Sequence, residues 1–183
     1  MNGASNVADS GMLLSSLESV LSAQFSGSDT VSCINGETDF TTSYTLAANY
    51  LVANKLLRVT IAFSDTTSSS PPGMAFNLKM GSTSVYTATK ATPAASLSGS
   101  PGGITFYIQG TAAAGASVAV HTHPIVPPGM NNAAGVPFDT STIAQPQNLA
   151  TNGTLVIKPG LACSAATSGN SITLNQMIVE ALN

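Results

Sequence analysis

"SGNSITLNQMIVEALN", Ser168 to Asn183, is the stretch that decides the fold class. Ile172 and Leu174 alternate with Thr173 and Asn175, which is the period of a half-buried strand. The alternation then slips by one, because the next apolar set is Met177, Val179 and Ala181. One extra residue near Asn175–Gln176, a β-bulge, restores the pattern. The other reading is a strand buried on both faces after Gln176, since Ile178 and Leu182 are apolar too. On either reading the strand must be paired inside a sheet or barrel, because an exposed edge this apolar invites aggregation.

Upstream the same period recurs. Phe40, Thr42, Tyr44 and Leu46 alternate, and Leu57, Val59, Ile61 and Phe63 do so more cleanly. After the breaker "DTTSSSPPG" come Met74, Phe76, Leu78 and Met80, and "GST" turns the chain into a Thr-rich strand around Val85, a hairpin. Ile104, Phe106 and Ile108 mark the next strand, and Val118 and Val120 the one after. A Pro-rich insert, Pro124 to Asn148, precedes "TLVIKPGLACS" and the final strand. About eight strands with almost no helix between them predict an all-β fold, a jelly-roll-like antiparallel β-sandwich. An immunoglobulin-like sandwich is the competitor, but the chain has no Trp and no suitable Cys pair to frame one. The insert is long for a plain connector, so it is functional or contacts a neighbour.

Residues 1–38 read differently. Met12, Leu13, Leu17, Val20 and Leu21 fall at helical spacing, with Asp9 or Ser10 able to cap the start. The expectation is an N-terminal arm with a short amphipathic helix (1–38), followed by a β-domain (39–183) carrying the insert 124–148. Such a helix either plugs one end of the domain or docks on another subunit.

Charged residues make up 7% of the chain, against roughly 25% in an ordinary soluble domain. The five basic residues, Lys55, Arg58, Lys79, Lys90 and Lys158, form no cluster, which argues against a nucleic-acid groove. No apolar run is long enough to span a bilayer, and no basic-then-apolar leader opens the chain, so the expectation is no membrane partner and synthesis in a cytoplasm. In a reducing compartment Cys33 and Cys163 are expected as two free buried thiols. A surface of hydroxyls and backbone, weakly defended by charge, suits a protein packed against neighbours. Alternatively the composition reflects only the strand preference of Thr.

Catalysis has little to stand on, and neither an enzyme nor a cofactor is expected. No G-x-S-x-G elbow marks a nucleophile. The acids are scattered; Glu37 and Asp39 could share a site, but a solvated turn before the first strand is the ordinary reading. Tyr50, Tyr86, Tyr107 and Phe138 could serve as sugar platforms, although Tyr86 and Tyr107 lie within strands and suit packing as well. In "AVHTHPI" His121 and His123 are two apart, so both imidazoles leave one face of a strand, opposite Val118 and Val120. Two imidazoles are a partial transition-metal site. The plainer reading is a pair of solvent-facing histidines beside Pro124.

The run "LLRVTIAFSDT", then "FNLKMGSTSVYT", "TLVIKPG" and "GNSITLNQMIVEALN" resembles small structural proteins of tailed-bacteriophage virions. The resemblance spans roughly residues 40–90 and 150–183 and leaves out the leading segment and the Pro-rich insert. It implies a jelly-roll-like domain, usually a homotrimer, located in the virion after assembly in the host cytoplasm. There it would act as a capsid decoration or cement protein on the major capsid protein, or else as a tail or fibre protein in host attachment. On a threefold axis His121 and His123 would become six imidazoles, enough for an octahedral ion. The elements expected to reach a neighbour are the helix, through Met12, Leu13, Leu17, Val20 and Leu21, and the insert, through Pro127, Pro128, Met130 and Phe138.

Overall fold

The computed structural model describes residues 19–90, 94–125 and 144–182. Among them run eleven strands: β1 (Ser19–Ser32), β2 (Gly36–Asp39), β3 (Tyr44–Leu46), β4 (Leu56–Thr66), β5 (Met74–Met80), β6 (Thr83–Lys90), β7 (Ser100–Gly110), β8 (Val118–Ile125), β9 (Gln147–Leu149), β10 (Leu155–Cys163) and β11 (Ser171–Ala181). They build two sheets, one in the order β1-β11-β4-β7-β8-β9 and one in the order β3-β10-β5-β6. With β2, β8 and β9 set aside, the ladders pair β1 with β11, β3 with β10, β4 with β7 and β5 with β6, all antiparallel. That is one long hairpin, first strand against last, wrapped so that successive strand pairs fall in opposite sheets. The wrapping defines a jelly roll.

It also explains the apolar final strand. β11 is interior to its sheet, laddered to β1 on one side and β4 on the other. Its register on β4 jumps from Leu174↔Phe63 to Gln176↔Ala62, so Asn175 is the bulged residue. Ile172 and Leu174 before the bulge and Met177, Val179 and Ala181 after it all face the core. Ile178 and Leu182 are only half-buried, on the other side of the strand. The bulge therefore decides between the two readings of the sequence, keeping one apolar row facing inward across an odd spacing while Ile178 stays on the other face.

The core lies between the sheets. Leu57, Val59, Ile61 and Phe63 of β4 meet Met74, Phe76, Leu78 and Met80 of β5, with Ile104, Phe106 and Ile108 of β7 beside them, all buried. The Phe63 and Phe76 rings stack at 5.3 Å, and Tyr86 meets Phe106 edge-on at 4.9 Å. The β5–β6 hairpin turns on Gly81 and Ser82 between the paired Met80 and Thr83, with Gly81 at φ 63°. Asn170, buried ahead of β11, ties three segments together. Its side chain accepts from Ser68 N (2.9 Å) and donates to Thr167 O (3.1 Å), while its backbone carbonyl accepts from Cys33 N (2.9 Å).

Four expectations need correction. Val20 and Leu21 sit in strand β1, where a helix was expected, because β1 finds its partner in β11, at the far end of the chain, which local spacing does not announce; Met12, Leu13 and Leu17 lie outside the described residues. The alternating run Phe40–Leu46 is broken, because the Asp29 carboxylate accepts from the backbone N of Thr41 (3.2 Å) and Thr42 (2.7 Å) and turns the chain there. Burial pushes the Asp29 carboxyl up, but these bonds from Thr42 and Thr41 outweigh it and hold the group below its ordinary value. Cys33 and Cys163 are joined in a disulfide, their Cα atoms 5.5 Å apart, because the wrap brings the end of β1 against the end of β10. Finally, Glu37 and Asp39 are not in a solvated turn; they belong to β2 and are held in ion pairs described below.

Tyr86 is 1% exposed, and its hydroxyl finds no hydrogen-bond partner among the described residues. Burial alone pushes its pKa up to about 12. An unsatisfied buried hydroxyl costs roughly 1–3 kcal/mol, so Tyr86→Phe is expected to raise the urea midpoint or leave it unchanged. A drop of more than about 1 kcal/mol would show that the hydroxyl bonds to a residue outside those described.

Candidate interaction surface

The outer face of the six-stranded sheet follows directly from the register. One row across it reads Val20, Glu180, Arg58, Tyr107 and His123; the next reads Ala23, Ile178, Thr60, Thr105 and Ile125. These are the residues that alternate with the buried set, so their side chains point away from the core. Phe25, 74% exposed, stands opposite Gln176 on the same face, and Val20 and Ile125 are also exposed apolar side chains. The charges here cancel: the Arg58 guanidinium donates twice to the Glu180 carboxylate, at 2.7 and 3.0 Å. That hydrogen bond, with the positive charge behind it, outweighs burial and holds the Glu180 carboxyl below its ordinary value. The five strands β1, β11, β4, β7 and β8, about 4.8 Å apart and with β11 eleven residues long, offer roughly 700 Å². A standard interface uses about 800 Å² per partner. β1 is also an edge strand, laddered on one side by β11.

The outer face of the four-stranded sheet carries the densest charge. β2 lies along β10, with Phe40 N donating to Pro159 O at 3.1 Å. From there Glu37 and Asp39 extend across Gly160 to β5. Lys79 Nζ sits 3.0 Å from Glu37 Oε1 and 2.8 Å from Asp39 Oδ1, and Asn77 Nδ2 donates to Glu37 Oε1 at 2.7 Å. Lys158 Nζ approaches Asp39 at 3.9 Å. Desolvation pushes Lys79 down, but its two carboxylate partners outweigh it and raise its pKa. A Cβ on Gly160 would lie 3.0 Å from Asp39 Oδ1 and 3.2 Å from Glu37 Oε1, so a bare α-carbon is what lets the carboxylates cross. Sequence spacing placed Glu37 and Asp39 side by side but could not supply Lys79, 40 residues beyond Asp39. The cluster binds β2 to the sheet, and its carboxylates already have cations.

Elsewhere, Gln145 bridges the two sheets, accepting from Thr122 N (3.0 Å) and donating to Val85 O (2.9 Å). A pocket of about 260 Å³ opens beside the β5–β6 turn, with Ser82, Thr83, Asn148 and Thr154 around Met80 and Leu149. None of Tyr50, Tyr86 or Tyr107 lines it. Tyr86 is in the core, and Tyr50 is partly buried against the core. Pro127, Pro128, Met130 and Phe138 lie outside the described residues. Among the described residues no group of three or more metal-ligating side chains forms, and no helix is long and apolar enough to cross a membrane.

His121 and His123 emerge as expected on one face of β8, opposite the buried Val118 and Val120. Their rings lie 5.9 Å apart and within 7° of parallel, and in register they face Gln109 and Tyr107.

No family model matches the chain, and no curated protein matches it. Among solved structures it is similar to two of infectious bursal disease virus, of the Gt strain (12% identity, TM-score 0.28) and the Gx strain (11% identity, TM-score 0.28). In each case 90% of this chain is covered, and it spans 34% of the longer chain, about a third of its length. The class of fold rests on the strand pairing: an all-β antiparallel two-sheet sandwich of jelly-roll type.

Proposed function

We propose that this chain is a structural component of a virion that acts by surface contact and performs no catalysis. In the finer form of this reading it is a capsid decoration or cement protein. A homotrimer would bridge neighbouring copies of the major capsid protein, so that expansion of the shell must break its contacts. The observation that carries the reading is the outer face of the six-stranded sheet, broad, internally neutralised, rich in hydroxyls and studded with Val20, Phe25 and Ile125. Desolvating such a face costs little, because few charges must leave water. Jelly rolls also serve in viral capsid and lectin domains, a fold-level analogy that adds support without specifying the partner. Repetition over many copies makes modest single-site affinity sufficient.

The test has two parts. Gold-labelled antibody on intact particles from the source is expected to decorate the head. Label confined to the tail would favour a tail or fibre role in host attachment, and particles without label would defeat both. The purified chain is then expected to co-sediment with particles stripped of it, and Val20→Asp/Phe25→Asp to bind at least about tenfold more weakly, since burying one Phe contributes roughly 1.5–3 kcal/mol. Undiminished binding by that variant would remove this face from the contact. For the leading segment the informative cut is after residue 18, because a cut after residue 30 deletes most of β1 and uncovers β11.

A further inference from the structure

We propose that His121 and His123 form a two-nitrogen chelating site for a borderline divalent transition ion of the zinc, nickel or copper type. The argument is geometric. Two residues of extended strand advance about 6.7 Å, and the two near-parallel ring centres lie 5.9 Å apart, inside that spacing. With metal–nitrogen bonds of 2.0–2.1 Å, the ion sits roughly 3.2 Å from each ring centre, and tetrahedral coordination puts those centres roughly 5.2 Å apart. The pair therefore needs to close by less than about 1 Å. Rotation about χ2, a soft torsion in histidine, turns the in-plane lone pairs of the near-parallel rings toward a common point.

Among the described residues, neither ring is locked in the core. His123 is exposed and His121 half-buried, and neither belongs to the core. Their cross-strand neighbours are the uncharged Gln109 and Tyr107. The nearest cation in the same row is Arg58, one strand beyond Tyr107, and its charge is taken up by Glu180 through two hydrogen bonds. Imidazole nitrogen suits zinc, nickel and copper, whereas calcium and magnesium require oxygen donors that the pair does not offer. Two nitrogens leave the remaining coordination positions to water in the isolated chain. The backbone on either side is held by the β7 ladder, so the chelate needs no refolding to form.

The test is a zinc titration of the untagged full-length chain, followed through the imidazole nitrogen resonances by NMR and through heat by calorimetry. Both histidines are expected to shift together and saturate at the same point. H121Q and H123Q are each expected to weaken binding at least about tenfold, the smallest loss usual when a metal's supporting contacts are removed. Magnesium is expected to produce no shift. Both substitutions are on the outer face of β8, outside the core, and an unchanged thermal melt without metal verifies the fold of each variant. The proposal is overturned if zinc moves neither ring, if the two rings titrate independently, or if either single variant keeps wild-type affinity. None of these outcomes depends on whether the chain binds particles, so this site and the proposed virion role stand or fall separately.

Discussion

Phe106→Ala is expected to lower the free energy of unfolding by about 3–5 kcal/mol, read as a shift of the urea midpoint at constant slope. Phe106 is fully buried on β7, laddered to Val59 on one side and Pro124 on the other, and its ring meets Tyr86 of the opposite sheet edge-on at 4.9 Å. Truncation removes the ring's transfer free energy and leaves a cavity between two sheets whose ladders keep them from collapsing into it. Against a typical total of about 5–15 kcal/mol, this is a large share of the stability. The matched control is Phe25→Ala on the outer face, 74% exposed, which is expected to stay within about 0.5 kcal/mol of wild type. If the two variants unfolded at the same midpoint, the assignment of inner and outer faces on the six-stranded sheet would be wrong.

The second large effect concerns the disulfide. Cys33→Ser/Cys163→Ser is expected to destabilise the chain by about 2–5 kcal/mol, the upper end set by the chain-entropy cost of closing so long a loop in the unfolded state. The crosslinked cysteines are 130 residues apart in sequence. The bond also acts locally, pinning the residue that follows edge strand β1, in one sheet, to the last residue of β10, in the other. Without it β1 is laddered by β11 on one side, with the side-chain bonds of Asp29 to Thr41 and Thr42 and of Gln24 to Ser43 beside that ladder, so its amides are expected to lose hydrogen-exchange protection before those of β4 or β7. Equal midpoints for the oxidised wild type and the double variant would exclude the bridge as a source of stability. Both sulfurs belong to residues only 6% exposed, so mild reductant acting on the folded chain is expected to be slow.

Much of the fold is legible in residue order because alternation is a local property. The inward rows of β4, β5, β7 and β11 can each be read within a dozen residues, and the slip near Asn175–Gln176 is narrowed there to two readings, since a period-2 pattern broken once admits few repairs; the register on β4 is what selects the bulge at Asn175. The Gly81–Ser82 turn is equally local. The same holds for the histidine pair, whose shared face follows from a spacing of two on any strand. The outer face as a surface is less legible: its rows are made of residues from five strands, and only the register aligns Glu180, Arg58, Tyr107 and His123.

Residues 19–32 depart from their local pattern for a physical reason. Leu17, Val20 and Leu21 satisfy helical spacing, but spacing expresses a preference among local conformations worth tenths of a kcal/mol per residue. Pairing with β11 contributes a whole ladder and covers what would otherwise be an open edge on the final strand. The disulfide and the Lys79 cluster share this origin. Cys33 meets Cys163, and Glu37 and Asp39 meet Lys79, because the hairpin wraps and because Gly160 leaves room for the carboxylates to cross. By itself the sequence determined the strands β4, β5, β7 and β11 with their inward faces, and narrowed the slip in the last of them to a bulge near Asn175–Gln176 or burial on both faces, all of which depend on the alternation of neighbouring side chains. Tertiary structure alone decided the state of the first strand, the cysteine bond and the ion pairs, since each depends on groups distant in sequence, 40 residues apart for Asp39 and Lys79 and 130 for the cysteines.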